Sequence, residues 1–377
     1  MPHLRQRLAL APLQRLAKLW PVVGVVGIRQ VGKSTLFRDL LKISEMVTFD
    51  EDEIRSDAEN SPKVFLSKYS RPFVIDEIQK VPKIFDALKS EVDRKRIPGT
   101  FYITGSQTFS SGALIRESLT GRIGSLRLYP LTLREAHEPK SVLTIENFTK
   151  AMKLGGLPVP MFLRDDESRR LYWDGWLETT FLRDLPRAYG KGYDLDFAKL
   201  ILKEIAAIFA DGEYPEVTLF SKDSRKVKKY LYAMESIFLL NRIPCHEAGV
   251  GRDHWLMGDS GLAAHLLRNE IGTPAATLTL ARHCLYNEIV AGAEYQLRRS
   301  ELKYFKSARG QPVDFVLNSL PIKVIEKSSG ALGWHEKGLL GAMKKLRSAQ
   351  GFLCAPIERS DPVSKKGISR VSWLHFS

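Results

Sequence analysis

The chain has 377 residues, of which 44% are hydrophobic and 27% charged, and its formal net charge is +14. This is the composition of an ordinary globular protein with two or three domains. The excess of positive charge favours anionic partners, nucleic acid above all, although an unselective basic surface would give the same value.

The three cysteines and the start of the chain exclude several classes of protein. Cys245, Cys284 and Cys354 are too scattered for a disulfide framework or a zinc site, which indicates a reducing, cytoplasmic compartment. No apolar run reaches the roughly 18 residues of a membrane span. Charges and Pro12 interrupt the leucines of the first 20 residues, so this segment is predicted to be a helix packed on the first domain, not a secretory signal. A helix on a membrane surface is the less favoured alternative.

Short apolar runs alternate with helical patterns through the first 130 residues. The predicted strands cover residues 21–26, 46–49, 72–75, 100–103 and 125–128, and the predicted helices residues 33–41, 53–69 and 83–94. This alternation predicts an α/β fold in which a parallel sheet carries helices on both faces. Ligands of such sheets bind at the carboxyl ends of the strands.

The first predicted strand leads into the glycine-rich turn Gly27-Ile28-Arg29-Gln30-Val31-Gly32-Lys33-Ser34-Thr35. The G-x-x-x-x-G-K-S spacing between a strand and a helix is typical of a loop that binds the phosphates of a nucleoside triphosphate. Lys33 is expected to reach the β- and γ-phosphates, and the Ser34 hydroxyl to ligate Mg²⁺. The predicted contact residues are Gly27, Arg29, Gln30, Val31, Gly32, Lys33, Ser34 and Thr35.

Two acids, Asp76 and Glu77, end the strand that begins near Phe73. Beside a phosphate loop, Asp76 is expected to hold Mg²⁺ through its water shell, and Glu77 to polarise the attacking water as general base. In isolation, two acids at the start of a helix would be the simpler interpretation. Their place 43 residues after Lys33, at the end of a strand, favours the catalytic roles.

Polar residues also end the following strand, where a side chain would lie between the phosphate loop and the acid pair. Ser106 is the first candidate for sensing the γ-phosphate, and Thr104 is the second. The alternative is that these are ordinary polar residues at the end of a strand.

Hydrolysis also requires positive charge near the γ-phosphate, and an arginine finger can raise its rate about 10³–10⁵-fold. Arg122 is the first candidate and Arg116 the second, and either could act across a subunit boundary. A surface arginine paired with Glu117 is the alternative. Arg29, inside the loop, is a further candidate for phosphate contact.

In the order of phosphate loop, acid pair and polar strand end, the chain resembles AAA-type P-loop ATPases. More narrowly, it resembles the large bacterial and archaeal ATPase family that has a C-terminal domain of unknown function. The matching segments are residues 27–35, 74–79, 103–106, 119–122, 128–132, 155–158, 183–185, 259–262 and 313–316.

The resemblance implies use of ATP with Mg²⁺ and an order of four parts. These are an AAA-type ATPase domain over residues 1–135, a helical lid or linker over 136–195, a winged-helix module over 196–267 and a restriction-endonuclease-like domain over 268–377. It also implies a homo-oligomer as a partner state, for which a ring is one arrangement.

The second helix of the implied winged helix, predicted from about Ser224 to Leu239, has a basic start. Such a helix is expected to lie along a DNA groove and bind phosphates with little sequence specificity. A solvated charged face or a protein contact is the alternative. The expected nucleic-acid residues are Lys222, Arg225, Lys226, Lys228 and Lys229.

A nuclease of the implied C-terminal fold needs acids for Mg²⁺ and a lysine for the attacking water. Glu288 and Asp314 fit the two upstream acid positions. The last strand should then carry an acid and a lysine two residues apart on one face, but placing Lys327 as the lysine puts Ile325 at the acid position and turns Glu326 away. This pattern predicts a degenerate nuclease, in which Glu288 and Asp314 are polar residues at helix or strand ends.

Three hypotheses for function follow. The first is a cytoplasmic ATPase that couples nucleotide state to DNA contact. The second is a switch in which nucleotide closes the domains and a protein partner recognises the closed form. The third is a nuclease gated by ATP. None of them involves a membrane.

Overall fold

The computed structural model describes residues 4–108, 119–221, 223–298, 300–308, 311–327 and 333–377. The chain divides into two compact units, and the first consists of Met1–Pro130 with the short segments Ser236–Phe238 and Glu294–Leu297. In the part of the chain described, none of the helices combines the length and the apolar character needed to cross a membrane.

The first unit is built on a five-stranded parallel sheet. Its strands are β1 (Val22–Val26), β2 (Glu45–Thr48), β3 (Phe73–Asp76), β4 (Phe101–Gly105) and β5 (Ile123–Arg127), in the spatial order β2-β3-β4-β1-β5. Every neighbouring pair is parallel. The predicted α/β sheet is confirmed, and the observed strands begin and end within two residues of the predicted ones. The order places β4 between β1 and β3.

Helices cover both faces of this sheet. They are α1 (Leu10–Ala17), α2 (Lys33–Thr35), which continues as a π-helical turn over Leu36–Leu40, α3 (Asp52–Asn60), α4 (Pro62–Ser67) and α5 (Ile84–Arg94). Phe85 and Leu88 of α5 share a buried cluster with Ile103 of β4. The neighbouring residue, Tyr102, lies on the opposite face of β4. Its ring meets the ring of Phe37 edge-on, with 5.4 Å between the ring centres. Alternate residues of one strand therefore pack against helices on opposite faces.

The second unit begins with a helical region that ends in a small hairpin. Its elements are α6 (Leu133–Ala136), α7 (Ile145–Leu154), α8 (Pro158–Met161), α9 (Asp166–Thr179), α10 (Leu185–Tyr189), α11 (Leu195–Ala210), α12 (Ser224–Ser236), β6 (Leu240–Ile243), β7 (His254–Met257) and α13 (Ser260–Leu266). Strands β6 and β7 pair antiparallel. Two long helices followed by this hairpin agree in element order with the expected winged helix, whose identity stays a prediction.

A buried carboxylate ties the start of α13 to the loop before α8. Asp259 Oδ2 accepts hydrogen bonds from the N–H groups of Gly156 (2.8 Å) and Leu157 (3.0 Å). Its Oδ1 accepts from Gly261 (2.7 Å) and Leu262 (3.3 Å). Burial raises the pKa of Asp259 to about 6, against the opposing effect of these four N–H groups. Two segments that carried the family resemblance, residues 155–158 and 259–262, thus contact each other.

The end of the second unit is a mixed five-stranded sheet. Its elements are α14 (Pro274–Tyr295), β8 (Leu302–Phe305), β9 (Val313–Leu317), β10 (Leu320–Val324), α15 (Gly333–Leu346), β11 (Gly351–Ala355) and β12 (Ile368–Ser372). The spatial order is β12-β11-β10-β9-β8. Pairs among β8, β9 and β10 are antiparallel, whereas β10, β11 and β12 are parallel. Helix α15 packs on β10 and β11. The prediction of a second α/β sheet is confirmed.

Candidate active site

The loop between β1 and α2 requires glycine at two positions for different reasons. A Cβ at Gly27 would lie 2.4 Å from the carbonyl oxygen of Leu128, the residue that follows β5, so no side chain fits there. Gly32 has φ +100° at the N-cap of α2, a left-handed conformation that favours glycine. The spacing of the motif thus reflects one close backbone approach and one left-handed turn.

Lys33 is the first residue of α2 and is only 5% exposed. Its Nζ donates hydrogen bonds to the carbonyl oxygens of Gly27 (2.9 Å) and Ile28 (3.3 Å). The ammonium group is therefore held against the backbone of the loop. A fixed positive charge beside the N–H groups at a helix start is the arrangement that binds phosphate.

Three oxygen-bearing side chains meet at the carboxyl ends of β1, β4 and β3. The Ser34 hydroxyl donates to Asp76 Oδ2 at 2.9 Å. The Thr104 hydroxyl donates to Asp76 Oδ1. Because β4 lies between the other two strands, its last residues bring Thr104 next to the carboxylate that ends β3. The predicted metal residues, Ser34 and Asp76, are thus in direct contact, and their role as Mg²⁺ ligands stays a prediction.

The predicted general base, Glu77, contacts the predicted sensor, Ser106. The Ser106 hydroxyl donates to Glu77 Oε2 at 2.9 Å, and the Ser106 N–H lies 3.4 Å from the same oxygen. Glu77 itself adopts a left-handed conformation (φ 55°, ψ 42°), and its N–H donates to the Thr104 hydroxyl at 3.3 Å. The turn after β3 therefore directs the second acid toward the end of β4. The catalytic roles of these residues stay predictions.

The candidate arginines lie in three different situations. Arg122 forms a two-pronged ion pair with Asp93, with distances of 2.6 and 2.8 Å. It immediately precedes β5, so it lies at the amino edge of the parallel sheet, opposite the phosphate loop. Arg122 therefore lies away from the phosphate loop of its own chain, and its role as an arginine finger across a subunit boundary stays a prediction. Arg29 is half-buried within the loop, and Arg116 lies outside the described residues.

A buried arginine that could not be recognised from the sequence supports the loop. Arg7, which precedes α1, donates from Nη1 to the Val31 carbonyl at 2.9 Å and from Nη2 to the Tyr129 carbonyl at 2.6 Å. It thereby links the phosphate loop to Tyr129, which lies two residues after the end of β5. Nothing in the local pattern of the N-terminal segment distinguishes Arg7 from the arginines around it. Only its 7% exposure does so.

The basic side chains at the start of α12 differ in the contacts that they make within the chain. Lys226 Nζ lies 3.1 Å from Asp194 Oδ2 and 3.9 Å above the ring of Phe197. Lys229 Nζ lies 3.8 Å above the ring of Tyr189. Arg225, Lys228 and Lys229 are all exposed, and Lys228 Nζ lies 5.7 Å from the ring centre of Tyr232. Arg225 and Lys228 are three residues apart and therefore on one face of the helix. Lys222 lies outside the described residues.

In the C-terminal sheet, Asp314 of β9 is surrounded by positive charge. Its Oδ1 lies 2.8 Å from Arg282 Nε and its Oδ2 lies 3.2 Å from Lys323 Nζ. Burial alone would raise the pKa of Asp314, but these two cations and the Val324 N–H, which donates at 2.8 Å, lower it. All three charged side chains are buried. Asp314 is thus an ionised partner of two cations.

The other predicted nuclease positions do not join Asp314. Glu288 accepts a hydrogen bond from the Leu133 N–H at the start of α6 (2.8 Å), and burial raises the pKa of Glu288 to about 8. Lys327 is exposed beyond the end of β10, and Glu326 lies beside it. The lysine that contacts Asp314 is Lys323, and the degenerate character of the nuclease positions stays a prediction. Among the described residues, no group of three or more His, Cys, Asp or Glu side chains is arranged to hold a metal.

Comparisons with known proteins give the class of the first unit. Residues 20–137 match the family model described as an AAA domain. The parallel sheet, the loop and the acid pair agree with that match, so this part of the chain has a P-loop NTPase fold and is similar to an AAA domain.

Two curated relatives match about half of the chain. Uncharacterized proteins of Mycobacterium bovis and Mycobacterium tuberculosis are each 34% identical over 183 residues, which is 48% of this chain. The chain spans 40% of the length of these curated relatives. Solved structures to which it is similar include a Walker-type ATPase of Pyrococcus abyssi, with 15% identity and a TM-score of 0.44 over 68% of this chain and 94% of that one. Another is the ORC1 protein of Aeropyrum pernix in complex with DNA, with 14% identity and a TM-score of 0.29 over 69% of this chain and 92% of that one.

Proposed function

We propose that the chain binds ATP with Mg²⁺, hydrolyses it, and couples its nucleotide state to contact with DNA. The observation that carries the first part is the cluster at the carboxyl ends of β1, β3 and β4. There Lys33 lies on the loop backbone, Ser34 contacts Asp76, and Ser106 contacts Glu77. A cation, a metal-binding oxygen pair and a general base are the groups that phosphoryl transfer to water requires.

The residues present fit Mg²⁺. Ser34 and Asp76 offer a hydroxyl and a carboxylate whose oxygens are 2.9 Å apart, and hard oxygen donors are what this ion prefers. It commonly takes only one or two protein ligands and completes its shell with water and phosphate oxygens. When bound, Mg²⁺ would neutralise the charge of the phosphate oxygens.

Each remaining step is assigned to a side chain. Lys33 and the N–H groups of the loop bind the β- and γ-phosphates. Glu77 accepts a proton from the attacking water, whose oxygen displaces ADP from the γ-phosphorus. Ser106 holds the Glu77 carboxylate in place. Because the cluster is built at the ends of strands, these groups are fixed before the substrate binds, which lowers the reorganisation that the reaction requires.

Two variants test this assignment. Lys33→Ala is expected to lose most ATP affinity, because it removes the ammonium group that is held against the loop backbone. Glu77→Gln is expected to retain binding and to lose hydrolysis by about 10²–10⁴-fold. Glu59→Gln, at an exposed acid of α3, is the matched control. Calorimetry with ATP and Mg²⁺ and phosphate release are the two measurements. Normal turnover in Glu77→Gln would show that another group is the base.

The DNA half of the proposal is supported by the net charge of +14 and by the exposed cations of α12. Arg225 and Lys228 share a face, so both can reach one stretch of phosphate backbone. Lys226 and Lys229 are partly neutralised or covered by their own chain, and are expected to contribute less. The absence of Asn or Gln at the start of the helix predicts weak sequence specificity.

Salt dependence separates phosphate contacts from other causes of binding. Each contact contributes about −0.9 to the slope of log affinity against log salt. The double variant Arg225→Gln/Lys228→Gln is expected to make that slope shallower by about 2. The double variant Lys89→Gln/Lys95→Gln, which removes two exposed lysines from α5 and the residue after it, should leave it unchanged. No binding of labelled duplex at low salt, and no stimulation of ATP turnover, would remove this half of the proposal.

Two other functions are distinguished by the same assays. Tight ATP binding with negligible turnover would favour a switch that acts on a protein partner. A nuclease gated by ATP is disfavoured because Arg282 and Lys323 already neutralise Asp314. Plasmid cleavage with Mg²⁺ or Mn²⁺ that disappears in Asp314→Ala would reinstate it.

An oligomer is proposed on the resemblance and on the position of Arg122. Mass measurement with and without ATP tests the assembly. If Arg122 serves a neighbouring copy, turnover per chain should rise with protein concentration, and Arg122→Ala should abolish that rise.

A further inference from the structure

Gln79 is a further polar side chain in contact with the candidate site. It lies in the short 3₁₀ turn Ile78–Lys80 that follows β3. Its Nε2 is 2.5 Å from Glu77 Oε2 and 3.3 Å from the Ser106 hydroxyl oxygen. The left-handed backbone of Glu77 lets the chain turn so that a residue two positions later reaches back to its carboxylate.

The donors around Glu77 all fall on one of its two oxygens. Gln79 Nε2, Ser106 Oγ and the Ser106 N–H each lie within 3.4 Å of Oε2. Within the described part of the chain, no hydrogen bond reaches Oε1. The carboxylate is thus fixed by Oε2, and Oε1 is left to accept a proton.

The oxygen of the Gln79 amide is unusual because it is buried without a hydrogen-bond partner among the described residues. An unpaired buried acceptor is costly and rare, so it calls for a specific explanation. The contact to a carboxylate fixes the orientation of the amide, since only the nitrogen can donate. The unpaired atom is therefore the acceptor, which suits the hydrogen of a water molecule.

We infer that Gln79 is a positioning residue for the attacking water. Its Nε2 fixes Glu77 Oε2 together with Ser106, and its Oε1 accepts the hydrogen that the water keeps. The other hydrogen passes to Glu77 Oε1 as a proton. The water oxygen then bonds to the γ-phosphorus, the bond from that phosphorus to the β,γ-bridging oxygen breaks, and ADP leaves. With both hydrogens bound, the lone pair of the water faces the phosphorus. This inference rests on the proposed ATPase function.

The test compares Gln79→Leu with wild type and with Gln14→Leu, which replaces an exposed glutamine of α1. Removing one pre-oriented polar group from an active site commonly costs about 10²-fold in kcat. We expect that loss in Gln79→Leu with an unchanged Kd for ATP, measured by calorimetry, and no loss in Gln14→Leu. If Gln79→Leu does not fold, Gln79→Asn, which keeps the amide but is one methylene shorter, is expected to lose a similar factor.

A double variant gives a readout that a merely structural role would not move. Because Gln79 and Ser106 hold the same oxygen, the kcat losses of Gln79→Leu and Ser106→Ala should combine to less than their product. If the wild type hydrolyses ATP and the folded Gln79 variant has the same kcat, the inference about Gln79 is overturned and the proposed hydrolysis is not. ATP binding without wild-type turnover would overturn the proposed hydrolysis, and the inference with it.

Discussion

The four hydrogen bonds that Asp259 accepts allow a stability prediction to be worked out from the structure. Asp259→Ala leaves four N–H groups without their acceptor. An unsatisfied buried donor costs about 1–3 kcal/mol, so the loss is about 8 kcal/mol at the middle of that range. The variant also no longer buries a charge. The pKa of Asp259 is raised to about 6 even with the four N–H groups opposing the rise, which puts the net penalty of the ionised side chain at about 3 kcal/mol. The expected net loss in the free energy of unfolding is therefore about 5 kcal/mol.

Urea unfolding of the full chain, followed by tryptophan fluorescence, measures this loss. Five of the six tryptophans lie in the second unit, so the signal reports mainly on the unit that contains Asp259. Asp165→Ala is the matched control, because Asp165 caps α9 through the Ser168 N–H (2.7 Å) at an exposed position. A much smaller loss is expected there. If Asp259→Ala costs no more than Asp165→Ala, the four contacts do not hold the loop and α13 together.

Three further predictions follow from buried groups and from the metal site. Arg7→Met is expected to raise the Kd for ATP by about 10-fold or more, because the carbonyls of Val31 and Tyr129 each lose a charged donor worth about 1.5–3 kcal/mol; calorimetry measures it, and an unchanged Kd would show that Arg7 is purely structural. Glu288 has its pKa raised to about 8, so between pH 4.5 and 8 the folded chain keeps a proton that the unfolded chain has lost, and stability falls as the pH rises through that window. At about 1.4 kcal/mol per pKa unit the difference is roughly 5 kcal/mol, and Glu288→Gln should flatten the decline in Tm between pH 5 and 9; an equally steep decline in the variant would contradict it. Chelation of Mg²⁺ should abolish ATP turnover but leave the melting of the C-terminal sheet unchanged, whereas a shift in that melting would indicate a structural metal.

Most of the first unit could be predicted from the sequence because its signals are local. A buried parallel strand is an almost continuous apolar run, and the phosphate loop and the acid pair each follow such a run directly. The parallel arrangement then brings the strand ends together, so Ser34, Asp76, Glu77 and Ser106 could be assigned to one place without knowledge of side-chain positions.

The support of the site could not be predicted, because it depends on contacts between distant residues. Arg7 reaches Val31 and Tyr129 across 24 and 122 positions. In the sequence, Gln79 is only the last residue of a matching segment, because nothing in its spacing indicates that the left-handed turn at Glu77 brings its amide back to the carboxylate.

The C-terminal sheet shows the limit of arguments from spacing within one strand. Spacing along the last strand could show only that Glu326 and Lys327 do not form the acid–lysine pair of a nuclease, because Ile325 stands two residues before Lys327. In three dimensions Lys323 contacts Asp314 across the antiparallel β9–β10 pair. Arg282 of α14, 32 positions before Asp314 in the chain, contacts the same carboxylate.

The contacts of Arg7 and Glu294 bear on how the first unit can be excised. The matched family region begins at residue 20 and ends at residue 137. A fragment with those ends would lack α1, which packs on β1 and β5, and Glu294, which accepts a hydrogen bond from the Arg127 N–H at 2.7 Å. Truncation at the homology limits would strip one side of the sheet, so a recombinant product cut there should aggregate or lose nucleotide affinity. A usable expression fragment has to start upstream of Arg7 and retain the last turn of α14.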